Sequence, residues 1–405
     1  MHVKQPSCVP IRLALGLGLI GALGPSAVDM YLSSLPEIAN HYQASFTRVQ
    51  LTLTFFLLAM GAGQLIFGPI VDAYGRRKPL LAGLLLFILC SFGAALAPSL
   101  ETLIALRFLQ GLGSALTLVV IMSMVRDVSQ GVAATQLFAL LMTIEGVAPI
   151  VAPAFGGMID AHFGWRAVML ALAGMGLLVL LNSLLSLPET LPIRQREPLR
   201  LRNVCRTYLA ILDDRRFLRP ALAVAMAFFF LFAYIGGATL VYQQHYGMSA
   251  QAFGLLFGAT GVSVMAGALL ASRLVGRLGL TALSTLGVRC MAGGAMLTLA
   301  STLFGLGVAG VAGGMAVALF GLGIAESTLM SLVMSSQKKS LGSTAALLGA
   351  LQLSVSSSAS PLAALVLQHG QVAWAALLVG STLLVCLLTA VSVRDVPTSF
   401  SMAAH

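Results

Sequence analysis

Charge is what this sequence has least of. Charged residues make up 9% of its 405 positions and hydrophobic ones 58%, too few charges to cover a soluble surface of this size. No polar stretch is long enough to house a nucleotide-binding domain, and no G-x-x-x-x-G-K-[ST] loop occurs, which argues against ATP hydrolysis. Cys8, Cys90, Cys205, Cys290 and Cys386 are odd in number and lack metal-like spacing, so packing residues or free thiols are expected. The six histidines (His2, His41, His162, His245, His369, His405) fall outside the apolar runs, and no pair has helical ligand spacing. No metal, no organic cofactor and no catalytic residue are therefore expected.

Long apolar runs are what the chain has in place of charge. Twelve stretches lie at roughly 11–35, 48–71, 79–98, 100–126, 134–160, 165–188, 217–243, 250–275, 280–303, 305–334, 341–367 and 371–393. Each can cross a hydrocarbon core of ~30 Å, which takes about 20 residues at ~1.5 Å each. A bilayer offers no water to backbone groups, so spans of this composition must be helical. The expected fold class is all-α, a polytopic membrane protein of twelve transmembrane helices in two six-helix bundles. The first 36 residues also have the look of a signal peptide. That reading is set aside because Asp29, a polar sequence and eleven further runs follow. Forty-two glycines suit close helix packing in lipid.

The basic residues fix an orientation. Of 23 Lys and Arg, Arg107 and Arg289 lie within spans, and 19 of the other 21 fall in alternate loops; only Arg48 and Arg166 lie on the other side. Cationic loops stay cytoplasmic, so both termini are expected inside a bacterial inner membrane. The net charge of +10 is thus a topology signal, and nucleic-acid binding is not expected, because the bases are spread among loops. The one substantial polar segment, 189–216, separates 1–188 from 217–405, six spans on each side. Near-equal six-span halves suggest a duplicated transporter with its site between them at mid-depth. A weak echo supports duplication: Gly75-Arg76-Arg77 follows the second span and Gly276-Arg277 the eighth, with Arg273 at the place equivalent to Asp72.

Four segments carry sharper information. Residues 68–79 read GPIVDAYGRRKP: Gly68 permits close helix contact, Gly75 a tight reversal, and Asp72 can face Arg76 or Arg77. Residues 107–115 read RFLQGLGSA, placing Arg107, Gln110 and Gly111 inside a span, where an arginine is costly unless paired or hydrated. In the fifth span Pro149 and Pro153 free carbonyls and bend the helix, while Gly156 and Gly157 permit tight packing. Residues 28–39 read VDMYLSSLPEIA.

The first of these resembles the signature loop of the major facilitator superfamily, G-x-x-x-D-x-x-G-R-[RK], with Ala73 where a basic residue often follows the Asp. The second matches that superfamily's R-x-x-Q-G-x-G-x-[AG] motif at every specified position. The fifth-span segment resembles its antiporter motif G-P-x-x-G-G, with Ala152 replacing the first Gly. The DMYLSSLP stretch is similar to the bicyclomycin/chloramphenicol-resistance branch of the drug:proton antiporters, with Ser33 where that branch usually has Pro. The resemblance spans essentially the whole chain, although the branch likeness rests on the first five spans. It implies a latch at the 68–79 loop that does not touch substrate, and export coupled to protons.

Five formal charges sit inside spans: Asp29, Arg107, Glu145, Arg289 and Glu326. Asp29 and Arg107 each lie about six residues, ~9 Å, outward of their helix centres, so they share a level where they can pair or face one cavity. Glu145 is near its helix centre. Burial drives a carboxylate toward its neutral form and a nearby arginine opposes this, a balance suited to gaining and losing protons. Asp29, Glu145 and Arg107 are the candidates for proton coupling, Asp72, Gly75, Arg76 and Arg77 for the conformational loop. Tyr31, Glu145, Tyr234 and Gln352 are the candidates for binding substrate, Tyr31 and Tyr234 by stacking on a planar drug. Arg289 is expected to snorkel to the interface; the role of Glu326 stays open. The expected partners are a small amphipathic molecule, protons and the bilayer, for a monomer. Export of an endogenous metabolite is the rival reading, and proton-coupled import a further one.

Overall fold

The computed structural model describes residues 11–128, 131–196, 201–336 and 341–394, and every regular element among them is helical. In chain order the first half holds α1 (Ile11–Asp29), α2 (Leu35–His41), α3 (Phe46–Tyr74), α4 (Arg77–Ala95), α5 (Leu100–Val128), α6 (Gly131–Phe163) and α7 (Trp165–Ser186). A short amphipathic helix, α8 (Leu201–Asp213), follows. The second half holds α9 (Arg215–Thr239), α10 (Ala250–Leu303), α11 (Gly307–Ser335), α12 (Leu341–Ser357), α13 (Ala359–Leu367) and α14 (Gln371–Arg394).

At ~1.5 Å per residue α10 would reach about 81 Å, far more than one crossing. It is two antiparallel crossings joined at Gly279, whose φ of 76° reverses the chain in a conformation that suits glycine. With α1–α2 and α12–α13 each making one crossing, twelve spans result. In the first half α1 packs on α5, α6 and α7, and α5 on α3 and α4; in the second, α9 packs on α11–α14. The halves meet where α6 packs on α10, and where α12 and α13 pack on α3.

Prolines decide where the helices give up bonds. The first span does not run unbroken from 11 to 35: α1 ends at Asp29, a 3₁₀ turn covers Leu32–Ser34, and α2 begins afresh. Pro36 has no N–H for the Leu32 carbonyl, and the regular helix gives way just ahead of it. Pro361 likewise withholds a donor from the Ser357 carbonyl, where α12 gives way to α13. Pro69, inside α3, withholds one from the Leu65 carbonyl. Each freed carbonyl accepts a hydroxyl from across the molecule. Thr239 donates to Leu32 at 3.3 Å, Thr54 to Ser357 at 2.8 Å, and Tyr208 of α8 to Leu65 at 3.2 Å.

The segment 189–216, read from sequence as a polar loop, thus contains a helix. Ile211 of α8 is buried, Leu209 is exposed, and α8 packs on α9 and α12. The side of the molecule carrying Arg76, Arg77 and α8 is called the basic face below.

Candidate functional site

The break after Asp29 opens the backbone of the first crossing, and Arg107 of α5 uses the opening. Its Nη2 donates to the Ala27 carbonyl at 3.0 Å and its Nη1 to Gln110 Oε1 at 2.7 Å. The guanidinium lies 4.5 Å from the Tyr31 ring centroid and 4.4 Å from that of Phe56, an aromatic sandwich favourable to a cation. Gln110 Nε2 donates to Ser91 Oγ at 2.7 Å, Ser91 donates to the Phe87 carbonyl, and the Tyr31 and Thr52 hydroxyls are 3.0 Å apart. Arg107, Tyr31 and Gln110 are each 0% exposed. Four helices are thereby tied into one polar layer.

Asp29 borders this layer but does not pair with Arg107. It is 6% exposed and makes no ion pair among the described residues. Equal depth placed the two charges on one level, but the helix break gave the guanidinium a nearer carbonyl. Glu145 belongs to α6, and its side chain lies outside the described residues. Glu326 on α11 is partly buried and makes no ion pair among the described residues, whereas Arg289 is exposed.

The proposed stacking partners are not together. Tyr31 belongs to the Arg107 layer. Tyr234 on α9 stacks on Phe257, with centroids 5.5 Å apart and planes 4° apart, and lies 6.4 Å from Trp374. Trp374 Nε1 donates to the Ala233 carbonyl at 3.0 Å. Tyr234 is 0% exposed, so neither ring faces open space in this structure. Gln352, on α12, is buried.

Contacts between the halves gather away from the basic face. Gln50 Nε2 donates to the Gly236 carbonyl at 2.9 Å, and Gln243 Nε2 to the Ser33 carbonyl at 3.2 Å. The fifth-span motif seals the same seam. Gly157 lies against the Ala250 carbonyl and Gly254 of α10 against the Pro153 carbonyl across the seam, while Gly156 lies against the Met30 backbone within the first half, all too close for a Cβ. Pro149 faces Gly261 of α10. Gly111 meets the Phe56 carbonyl between α5 and α3 with the same closeness. A pocket of about 450 Å³ lies between the halves, lined by Phe46 and Thr47 from the first half and by Gln244, His245, Gln368 and Gln371 from the second.

The 68–79 loop forms its own cluster at the basic face. Gly75 turns at φ 90°. Arg76 pairs with Asp72 at 2.6 Å and with Asp127, at the end of α5, at 2.9 Å. Arg77 does not join Asp72; its Nη2 donates to the Leu184 carbonyl at 3.0 Å. Glu189 accepts the backbone N–H groups of Arg76, Arg77 and Leu191, and lies 3.6 Å from Arg196. Burial alone would raise the Glu189 pKa, but those N–H groups and Arg196 hold it below the ordinary carboxylate range. Asp127 also accepts the Thr190 hydroxyl at 2.9 Å. Gly68 departs from expectation: nothing lies within 4 Å of a Cβ placed there. The close contacts of α3 with α12 fall farther from the basic face, at Gly61 and Gln64. Asp127 and Glu189 were missed from sequence; their positions, an acid just past a span and an acid opening the polar segment, are the signals available.

Two packed six-helix halves with a buried polar layer beside their seam define a polytopic membrane transporter. Residues 17–361 match the family model described as Major Facilitator Superfamily, and the chain belongs to that superfamily. It is 38% identical over 354 residues, 87% of this chain and 88% of the relative, to the uncharacterized MFS-type transporter YdgK of Bacillus subtilis. It is 31% identical over 294 residues, 71% of this chain and 67% of the relative, to the chloramphenicol resistance protein of Pseudomonas aeruginosa. Among solved structures it resembles the human organic anion transporter MFSD10, with a TM-score of 0.73 over 94% of this chain and 99% of that one. At 18% identity that likeness speaks to the fold. The expected fold class, the superfamily and its resistance-protein branch are borne out.

Proposed function

We propose that this chain is a proton-coupled antiporter that exports amphipathic drugs of the chloramphenicol or bicyclomycin kind across a bacterial inner membrane. The observation that carries the reading is Asp29. It is a nearly buried carboxylate without a cationic partner among the described residues, beside the Arg107 layer and under a seam sealed by the fifth-span motif. A carboxylate so placed can be charged only when water or a cation reaches it. Protonation and drug binding then bias the same two-state equilibrium through differing affinity for the two states. The basic face is cytoplasmic in this reading, with both termini there. The sealed end is the outer one, and the halves 1–188 and 217–405 rock about the seam. Glu145 and Gln352 supply polar contacts to substrate, while Tyr31 and Tyr234 brace the walls. A relative bearing the name of a chloramphenicol resistance protein supports the substrate class.

The experiment is a susceptibility panel in an efflux-deficient host carrying vector, wild type or Asp29→Asn. Wild type raises resistance to at least one amphipathic antimicrobial, and the variant does not. Resistance to nothing in a broad panel overturns the drug reading.

A further inference from the structure

Pro25 breaks the ladder inside α1 as Pro36, Pro69 and Pro361 do elsewhere. It withholds a donor from the Gly21 carbonyl. Those three freed carbonyls, of the several that helix prolines leave, each accept a hydroxyl from a distant helix. No side-chain donor to Gly21 is found among the described residues. Instead, Gly21 and Pro25 line a cavity of about 80 Å³ between α1, α3 and α5. Ser114 of α5 lines it too. That residue is 2% exposed, and its hydroxyl is buried with no hydrogen-bond partner. Thr117 adds a second hydroxyl, already donating to the Ser114 carbonyl at 2.8 Å but still able to accept. Ile20, Met60 and Leu118 supply apolar wall.

A carbonyl deprived of its regular helical donor and an orphan hydroxyl beside one small space call for a ligand that both donates and accepts. Leaving both unmade inside a bilayer is costly. A water needs roughly 10–15 Å³ of probe-occupied volume and two to four polar partners, so this cavity has room for a few waters and the groups to hold them. Its place gives them a use. Pro25 is one turn, about 6 Å, from Asp29 along α1, and Ser114 is one turn from Gln110 along α5. Toward Asp29 lies the sealed seam; away from it α1 and α5 run on toward the basic face.

We infer that the pocket of Gly21, Ser114 and Thr117 binds ordered water and is the inner leg of the proton route that serves Asp29. This inference rests on the proton-coupled reading above. A proton leaves the Asp29 carboxyl for the nearest water, each water passes one on, and one emerges at the basic face. The carboxylate remains behind, and no other bond changes.

The test is hydroxyl-radical labelling by brief X-ray irradiation of the purified protein in lipid nanodiscs. Radicals form from bound water, so Met60 should oxidise several-fold faster than Met169 and Met315, both 0% exposed. Ser114→Ala and Pro25→Ala should each slow Met60 labelling, the second by returning a donor to Gly21, while Ser114→Thr should keep it. Wild-type labelling of Met60 no faster than of Met169 overturns the proposal without needing any variant. Proteoliposomes loaded with chloramphenicol test the route. Efflux driven by an imposed pH gradient should fall several-fold more in Ser114→Ala than chloramphenicol exchange at equal pH. Equal losses in the two assays overturn the relay. No chloramphenicol movement by wild type counts against the exporter reading instead, and the rate at Met60 still decides the water site.

Discussion

Arg107 sits between two aromatic rings, with a carbonyl and an amide on its donors and no carboxylate within ion-pair reach among the described residues. Its charge is met by ring faces and dipoles, which leaves Asp29 without a fixed counter-charge. Asp29→Asn should therefore abolish pH-driven efflux while expression and melting temperature stay near wild type, measured on the same purified protein. Robust pH-driven transport by that variant would remove Asp29 from the mechanism. Gln110 holds Arg107 and Ser91 together. Gln110→Ala removes one partner from each and should cost roughly 1–3 kcal/mol, seen as a lower melting temperature in detergent. An unchanged melting curve would mean that water replaces the amide. Glu145→Gln should reduce export of a lipophilic cation more than export of neutral chloramphenicol, because only an ionised acid favours the cation. Equal loss of both would assign Glu145 to coupling. At this scale the sequence was legible in residue identity: Asp29, Arg107 and Gln110 were each singled out from motif and depth, and Arg107 and Gln110 lie together in one buried layer. Their partners were not, because the Ala27 carbonyl becomes available only through a helix break that periodicity does not reveal.

The elements tell a similar story about what patterns can convey. Eleven of the twelve apolar runs set their crossings within a few residues. The first did so only in part, since its last turn is re-formed as a 3₁₀ turn and α2. Apolar composition sees lipid and not hydrogen bonds, so it passed over that break and the one between α12 and α13, whereas the gap at 276–279 between the eighth and ninth runs did mark the reversal at Gly279. It also left α8 within a polar loop, because a helix with one buried face has too few apolar residues to stand out as a span. The 68–79 loop shows the reverse case: its motif marked Asp72 and Arg76, but the acids that complete the cluster are brought in by fold. Glu189 gives that cluster a pH signature. Its folded pKa is lowered, so its contribution is present above the unfolded value and lost as pH falls through the folded one. Glu189→Gln should melt below wild type at neutral pH, and the gap should close in acid, below the ordinary carboxylate range. A gap independent of pH would show that the side chain acts by shape alone.

Across the whole molecule, the halves are joined by more than their seam. Asp72→Asn or Arg76→Ala should slow turnover with little change in equilibrium drug affinity, since their cluster lies at the basic face, away from the Arg107 layer; a large loss of binding with intact folding would contradict that division. Tyr208 adds a constraint of another sort. Its hydroxyl bridges a helix packed on α9 and α12 to a proline-freed carbonyl on α3. Such a carbonyl is a socket left open by the sequence itself: if the halves rock as proposed, it holds its plug in one posture of the molecule and is rewetted in the other. The connecting segment then works as a spring-loaded catch whose strength sets how long the molecule dwells before swinging. One neutral hydrogen bond is worth about 0.5–1.5 kcal/mol, so Tyr208→Phe should move the balance of the two postures by roughly two- to tenfold. Spin labels placed across the basic face would read the shift as a change in the proportions of short and long distances. Unchanged proportions would mean that the catch is engaged equally in both postures, and that the dwell time is set at the seam alone.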